Sequence, residues 1–246
     1  MCDSCGCGDS ELVPVAVHER ILSNNDRVAR HNREHFHDHG VSVINLMGSP
    51  GSGKTAVLEA TAHALGASTS LGVLVGDLAT DNDARRVRAA GIVAEAITTG
   101  SACHLDADMV HKGLHRMPWR QFDVLFIENV GNLVCPAVYD LGQDANVVAL
   151  SVTEGEDKPL KYPTMFRKAD LVLLTKTDLL PVLPDIRVER IEENLSMVMP
   201  RPKMIAVSST TGAGIDAWIA WLSELREARK AATPSKHHHA SSHGHS

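Results

Sequence analysis

The sequence is poor in aromatic residues, with three Trp, two Tyr and four Phe among 246 residues. That scarcity argues against an all-β sandwich and against a surface that stacks nucleic-acid bases. No apolar run approaches the roughly 18–20 residues needed to cross a bilayer, so no membrane span is expected. The chain does not open on a charged segment followed by an apolar stretch, which points away from a signal peptide and towards the cytoplasm. It has no Lys/Arg block, and 24 basic against 30 acidic residues leave a formal net charge of -6. Nucleic acid is therefore not expected as a partner. Internal repeats are also missing. Five Cys is an odd count, which without a leader argues against a disulfide framework and for metal or redox chemistry. The excesses are sulfur at one end, with three Cys in the first seven residues, and imidazole, with fourteen His.

Residues 1–10 (MCDSCGCGDS) are small, polar and sulfur-rich, and cannot pack without a bound metal. Residues 11–40 read as a helix and a His-containing linker. Val13, Val17, Ile21, Leu22 and Val28 recur near helical spacing through residue 34, with a pause expected at Ser23–Asp26, and 35–40 (HFHDHG) reads as a joint. From Val41 the pattern changes to seven short apolar runs, at 41–47, 71–77, 92–98, 123–129, 147–152, 170–176 and 203–209. Near-continuous apolar runs mark strands buried on both faces. Helical patterns at 54–66, 82–90, 103–116, 185–198 and 214–231 lie between several of them. The alternation predicts an α/β fold over 41–231, a mostly parallel sheet with helices on both faces. Residues 232–246 read as a disordered His-rich tail.

Gly48-Ser49-Pro50-Gly51-Ser52-Gly53-Lys54-Thr55 fits G-x-x-x-x-G-K-[ST], after a predicted strand and before a predicted helix. Glycines let backbone N–H groups curl around phosphate oxygens, and the helix N-terminus adds partial positive charge. Lys54 is expected on the β- and γ-phosphates and Thr55 on Mg²⁺. Asp77 and Glu128 end predicted strands, where ligands of a parallel sheet gather, and are expected to complete the Mg²⁺ shell or orient water. The N–H of Gly131 is expected on the γ-phosphate. Thr175-Lys176-Thr177-Asp178 resembles the guanine-reading N-K-x-D, with Thr for Asn. Asp178 is expected to accept from guanine N1–H and the 2-amino group, Lys176 to lie along the base, and Ser208 and Ser209 with Thr210 to approach its carbonyl. Hydrogen bonds to a charged group are worth roughly 1.5–3 kcal/mol, against about 0.5–1.5 for neutral ones, so Thr175 should weaken guanine binding less than loss of Asp178 would.

Cys2, Cys5 and Cys7 place three soft thiolates within six residues, and removal of Met1 would add the Cys2 α-amine. That set suits square-planar Ni²⁺, and Zn²⁺ fits the ligand list too. A second set lies inside the α/β domain. Cys103 and His104 are expected to open a helix, with Asp108 on the same face as His104, and Cys135 follows Gly131 by four residues. Three ligands near the nucleotide would leave a position for exchange or a partner. His111 and His115 read as ordinary solvated or packed imidazoles. His31, His35, His37 and His39, like the tail His237, His238, His239, His243 and His245, are too scattered in sequence for one site and suit weak metal buffering.

These motifs together, with GDLATDNDARRV (76–87), ENVGNLVCP (128–136) and DKPLKYP (157–163), resemble the HypB family of metal-binding GTPases that act in [NiFe]-hydrogenase maturation. The resemblance implies a P-loop NTPase G domain of the SIMIBI type and a nickel-binding N-terminal motif. It also implies an exchangeable Zn/Ni site at Cys103, His104 and Cys135, and a homodimer linked to nucleotide or metal. GTP/GDP, Mg²⁺, Ni²⁺ and Zn²⁺ are the implied ligands. A HypA-type nickel chaperone and the hydrogenase large-subunit precursor are the implied partners. No arginine finger is identifiable, so slow turnover is expected. A urease accessory GTPase fits less well, because Cys135-Pro136 is followed by Ala137 where that family has Cys-Pro-His. A small-molecule kinase would need neither Thr175–Asp178 nor the sulfur cluster, and a metal store would leave the P-loop idle.

Overall fold

The computed structural model describes residues 15–78, 80–100 and 102–232. The N-terminal Cys2, Cys5 and Cys7 and the tail histidines lie outside the described residues. The chain opens on α1 (Val15–His39), then alternates β1 (Ser42–Met47), α2 (Lys54–Leu65), β2 (Leu71–Asp77), α3 (Asn82–Ala89), β3 (Val93–Thr98), α4 (Ala107–Leu114), β4 (Val124–Glu128) and β5 (Ala145–Ser151). Two short helices, α5 (Lys158–Lys161) and α6 (Pro163–Arg167), precede β6 (Leu171–Thr175), α7 (Val188–Val198), β7 (Met204–Ala206) and α8 (Ile215–Ala232). The strands form one sheet in the order β3-β2-β4-β1-β5-β6-β7, and every pairing is parallel.

The apolar runs are continuous because alternate residues of each strand face different helical layers. Val124 and Phe126 of β4 pack with Val57 of α2, Ala84 of α3 and Trp218 of α8. Leu125 and Ile127 pack on the other face with Phe36 of α1 and Val110 of α4. Met165, Phe166, Ile191 and Leu195 of α6 and α7 cover Val148, Leu150, Val172 and Leu174. The Trp218 indole N–H donates to Thr61 Oγ1 (2.8 Å), so the largest buried side chain carries no unpaired donor.

Two local expectations are corrected. Neither the pause at Ser23–Asp26 nor the joint at 35–40 exists: α1 runs 25 residues without a break. Asn25 does not cap its own backbone. Its Nδ2 donates to Asp140 O (2.8 Å) and its Oδ1 accepts from Ala107 N (2.9 Å). A side chain spent on tertiary partners no longer competes with the helix. In the HFHDHG segment the deciding residue is Phe36, fully buried against the sheet, and the helix ends only at Gly40, which takes φ 71°. The expected helix at 103–116 also begins later, at Ala107, where Asp106 Oδ1 accepts from Met109 N (2.7 Å).

Candidate functional site

The carboxyl ends of β1, β2, β4 and β6 open on one cavity of about 500 Å³. The loop after β1 forms its floor. Gly53 holds φ 93° at the N-terminus of α2, a left-handed conformation that favours glycine, and so turns the chain into the helix. Pro50, Gly51, Gly53, Lys54 and Thr55 line the cavity, while Gly48, Ser49 and Ser52 are the other members of the turn. Gly48 also bridges to Asn132 in antiparallel fashion. The ends of β2, β4 and β6 and the loops after them supply Asp77, Glu128, Asn129, Gly131 and Lys176, and α3 supplies Asp83 and Arg86. A Cβ on Gly131 would lie 2.9 Å from Pro50 N, so only glycine allows this approach of the two loops.

The buried ions of the site are not at ease. Lys54 folds back, its Nζ donating to Gly48 O (3.3 Å) and Ser49 O (3.1 Å). Burial lowers its pKa, although Glu128, Asp83 and Glu154 oppose the shift. Thr55 Oγ1 donates to Glu128 Oε1 (2.8 Å). Glu128 is 2% exposed, its Oε2 has no partner, and burial pushes its pKa up to about 7 against the opposing pull of Thr55 and Lys54. An orphaned buried carboxylate oxygen beside a P-loop Thr and a buried ammonium is a donor set suited to a hard dication and the phosphates it would neutralise. Asp77 stands at the exposed rim, accepting from Leu78 N (2.6 Å) and from the Thr80 hydroxyl.

At the β6 end, Lys176 takes a left-handed conformation (φ 59°) and lines the cavity. Asp178 Oδ1 accepts from Ser208 Oγ (2.7 Å), so these two expected base-reading residues meet. Ser209 and Thr210, which follow Ser208 in the chain, also line a neighbouring hollow with His63 and Asp216. Thr175 is 2% exposed and its Oγ1 donates to Ser52 O (2.6 Å). The residue at the Asn position therefore braces the phosphate loop.

Cys103, His104 and Cys135 come together as the sequence predicts, with one potential ligand atom from each within 4.8 Å of the others. The Cys103 thiol donates to Cys135 Sγ (3.0 Å), and Cys103 Sγ lies 3.9 Å from His104 Nδ1. The Cys103 contact and burial push the Cys135 thiol up. A cation between the two sulfurs would supply the charge that favours the Cys135 thiolate. Burial holds His104 below the ordinary histidine range, in the neutral form that ligates, and its ring stacks on Tyr139 (3.9 Å between centroids). Cys103 and His104 sit in the loop before α4, not in a helix as expected, Cys135 opens a short turn after β4, and Asp108 pairs with Lys112 (2.6 Å).

Sequence reasoning missed the residue that joins the two sites. Asn129 follows Glu128 directly and is 1% exposed. Its Nδ2 donates to Asn45 Oδ1 (3.1 Å) on β1, and its Oδ1 accepts from Leu105 N (3.1 Å), the residue after His104. Its position inside ENVGNLVCP was the available signal. Glu154, which accepts from the Ser49 hydroxyl, and Arg86, held by Glu59 (2.6 and 2.7 Å), were also missed. Arg86 belongs to the ARR that follows the Asp77 loop.

Residues 42–206 match the family described as CobW/HypB/UreG, nucleotide-binding domain. The hydrogenase maturation factor HypB of Azotobacter chroococcum mcd 1 is 50% identical over 222 residues, spanning 90% of this chain and 72% of the relative. The chain belongs to the HypB family. A crystal structure of HypB from Helicobacter pylori in complex with nickel is 40% identical, with a TM-score of 0.79 over 83% of this chain and 96% of that one. HypB of Archaeoglobus fulgidus superimposes with a TM-score of 0.77 at 41% identity, over 83% of this chain and all of that one. The all-parallel sheet and P-loop are thus those of a HypB-type G domain, and no helix among the described residues is long and apolar enough to cross a membrane.

Proposed function

We propose that the chain is a GTP-hydrolysing nickel metallochaperone that supports nickel insertion into the [NiFe]-hydrogenase large subunit, with nucleotide state coupled to metal release. The observation that carries the reading is the Asn129 bridge: one buried amide accepts from the backbone beside His104 and stands next to Glu128 in the nucleotide cavity. GTP is the substrate. Lys54 and Gly131 bind the β- and γ-phosphates, and Asp178 with Lys176 reads guanine. Water attacks the γ-phosphorus, the bond to the β–γ bridging oxygen breaks, and GDP and phosphate leave. Mg²⁺, held by Thr55 with Glu128 and Asp77, supplies charge neutralisation to the phosphates. Arg86 is pinned by Glu59 at the cavity wall, which supports slow turnover. Nickel is cargo at Cys103, His104 and Cys135, exchangeable with Zn²⁺, and at the N-terminal Cys2, Cys5 and Cys7. The exposed Leu78, Val134 and Val138 flank these loops and support a two-fold homodimer favoured by GTP. A HypA-type chaperone and the large-subunit precursor are the partners in transfer. Nickel affinity, titrated against a competing chelator, is expected to differ among nucleotide-free, GDP-bound and GTP-analogue-bound protein. Cys103→Ala with Cys135→Ala is expected to remove that difference. Equal affinities in all three states would leave a passive metal store beside an independent GTPase.

A further inference from the structure

The fold gathers histidines that the sequence scatters. His31 and His35 lie one turn apart on α1, and His111 and His115 one turn apart on α4, which packs beside it. Ring centroids are 4.3 Å apart for His31–His35, 5.4 Å for His31–His111 and 4.9 Å for His111–His115, so the four imidazoles form one unbroken cluster. The Nε2 atoms of His111 and His115 approach to 3.3 Å. The other two histidines of this helix end are engaged elsewhere: His39 with Arg120 (3.2 Å) and His37 with Asp144 (3.2 Å).

Asn32 fixes the state of His111. It is fully buried, and its Nδ2 donates to Ala107 O (2.9 Å) and Leu141 O (3.3 Å). The amide orientation follows, leaving Oδ1 as the atom 3.0 Å from His111 Nδ1. An oxygen there requires the proton on Nδ1, so His111 Nε2 carries a lone pair aimed into the cluster. An acceptor on the far nitrogen is how a metal-ligating imidazole is held. Burial, then the neighbouring imidazoles, keep His111 below the ordinary histidine range, and burial with His31 does the same for His35. Both are ligands in their neutral form.

We propose that His31, His35, His111 and His115 form a tetrahedral site for a Zn²⁺-class dication that staples α1 to α4. Zn–N bonds of about 2.0–2.1 Å at the tetrahedral angle set two nitrogens about 3.3 Å apart, the separation already present between His111 and His115. Four imidazoles with no carboxylate select a borderline transition metal over Mg²⁺ or Ca²⁺. Without metal, His115 Nε2–H donates to His111 Nε2. Metal entry moves that proton to His115 Nδ1, so no net proton is released. His31 and His115 are exposed, so the ion has an entry path and their side chains have room to turn; the site requires that turn, because the four imidazoles do not yet present all their nitrogens to one point. This site is separate from the cysteine cluster, which joins the loop before α4 to the turn after β4.

The test adds Zn²⁺ alone to the full chain and follows imidazole nitrogens by long-range ¹⁵N correlation. After the cysteine sites fill, His31, His35, His111 and His115 Nε2 are expected to shift together with one further equivalent, and the α1–α4 staple should raise the Tm. In equilibrium dialysis, His111→Gln with His115→Gln should lose one equivalent, His31→Gln with His35→Gln should lose one, and the fourfold variant should lose that same single equivalent. Unshifted imidazoles in the unsubstituted chain would overturn the site whatever the variants do. Unchanged stoichiometry, or two equivalents lost in the fourfold variant, would overturn it as well.

Discussion

Glu128 is where burial and charge conflict most sharply. Its carboxyl is 2% exposed, one oxygen is satisfied by Thr55, and the other has no partner. The pKa rises from an ordinary 4.5 to about 7, which has a definite sign for stability. Between those values the unfolded chain has released the proton and the folded chain keeps it. Stability is therefore fully present below pH 4.5, falls as pH climbs, and levels off above about 7. At about 1.4 kcal/mol per pH unit the loss is of order 3 kcal/mol. Urea unfolding of nucleotide-free protein should give a lower midpoint at pH 7.5 than at pH 5.5, and Glu128→Gln should abolish that difference while also slowing hydrolysis. A wild-type midpoint that matches the variant's pH profile would show that the carboxyl is not held protonated. Lys54, lowered by the same burial, contributes in the opposite sense: its penalty lifts as pH rises towards 10.5. Burial thus disfavours the charged form of both groups, and a bound phosphate and a cation would each supply the opposite charge that favours it.

Among elements, the informative joint is the one between β6 and the phosphate loop. Thr175 Oγ1 donates to Ser52 O and, more weakly, to Leu150 O (3.4 Å), while Asp178, three residues on, is paired with Ser208. In the proposed reading, Thr175 braces the phosphate loop and Asp178 reads the base, two tasks for two residues of one motif. Thr175→Val leaves the buried Ser52 carbonyl without its donor, a cost of about 1–3 kcal/mol, and should weaken GTP and ATP binding alike. Asp178→Ala should leave the fold intact and collapse the preference for GTP over ATP. Equal loss of preference in both variants would refute the division. This distinction was not legible in the sequence, where Thr175 registers only as a departure from Asn. The strands were legible, because burial on both faces leaves little room for polar residues. The continuous α1 was not, because Asn25, Asn32 and Phe36 acquire their roles only from Asp140, Ala107, Leu141 and the sheet. Local pattern marks Asn25 as a cap and Phe36 as part of a joint, and tertiary partners override it. The Cys103–His104–Cys135 cluster was legible because an adjacent Cys–His pair and a further Cys each follow a predicted strand of one sheet, whereas the meeting of the His31/His35 and His111/His115 pairs depends on helix packing that no spacing encodes.

Across the whole molecule the question is whether two ligand sites behave as one thermodynamic unit. Coupling at equilibrium is reciprocal: if a GTP analogue changes nickel affinity by some factor, nickel must change affinity for the analogue by the same factor. The physical path is short. Gly48 of the phosphate loop bridges Asn132, three residues before Cys135, and Asn129 ties β1 and the Glu128 end of β4 to Leu105. Under the proposed coupling, movement of the Glu128–Gly131 segment on nucleotide binding would reach both the Cys103–His104 loop and the Cys135 turn through these contacts. A single structural tie can be tested against simple proximity with two substitutions at one position. Asn129→Asp keeps an oxygen to accept from Leu105 N and should preserve the coupling factor, while Asn129→Ala removes it and should bring both reciprocal factors towards one. In Asn129→Ala each ligand should still bind, since neither P-loop nor cysteine is altered. Calorimetric titrations of nickel with and without the analogue, and of the analogue with and without nickel, measure all four affinities. If Asn129→Ala retains the wild-type factor in both directions, the coupling runs through the Gly48–Asn132 contact or through a partner subunit, and the Asn129 bridge is only structural.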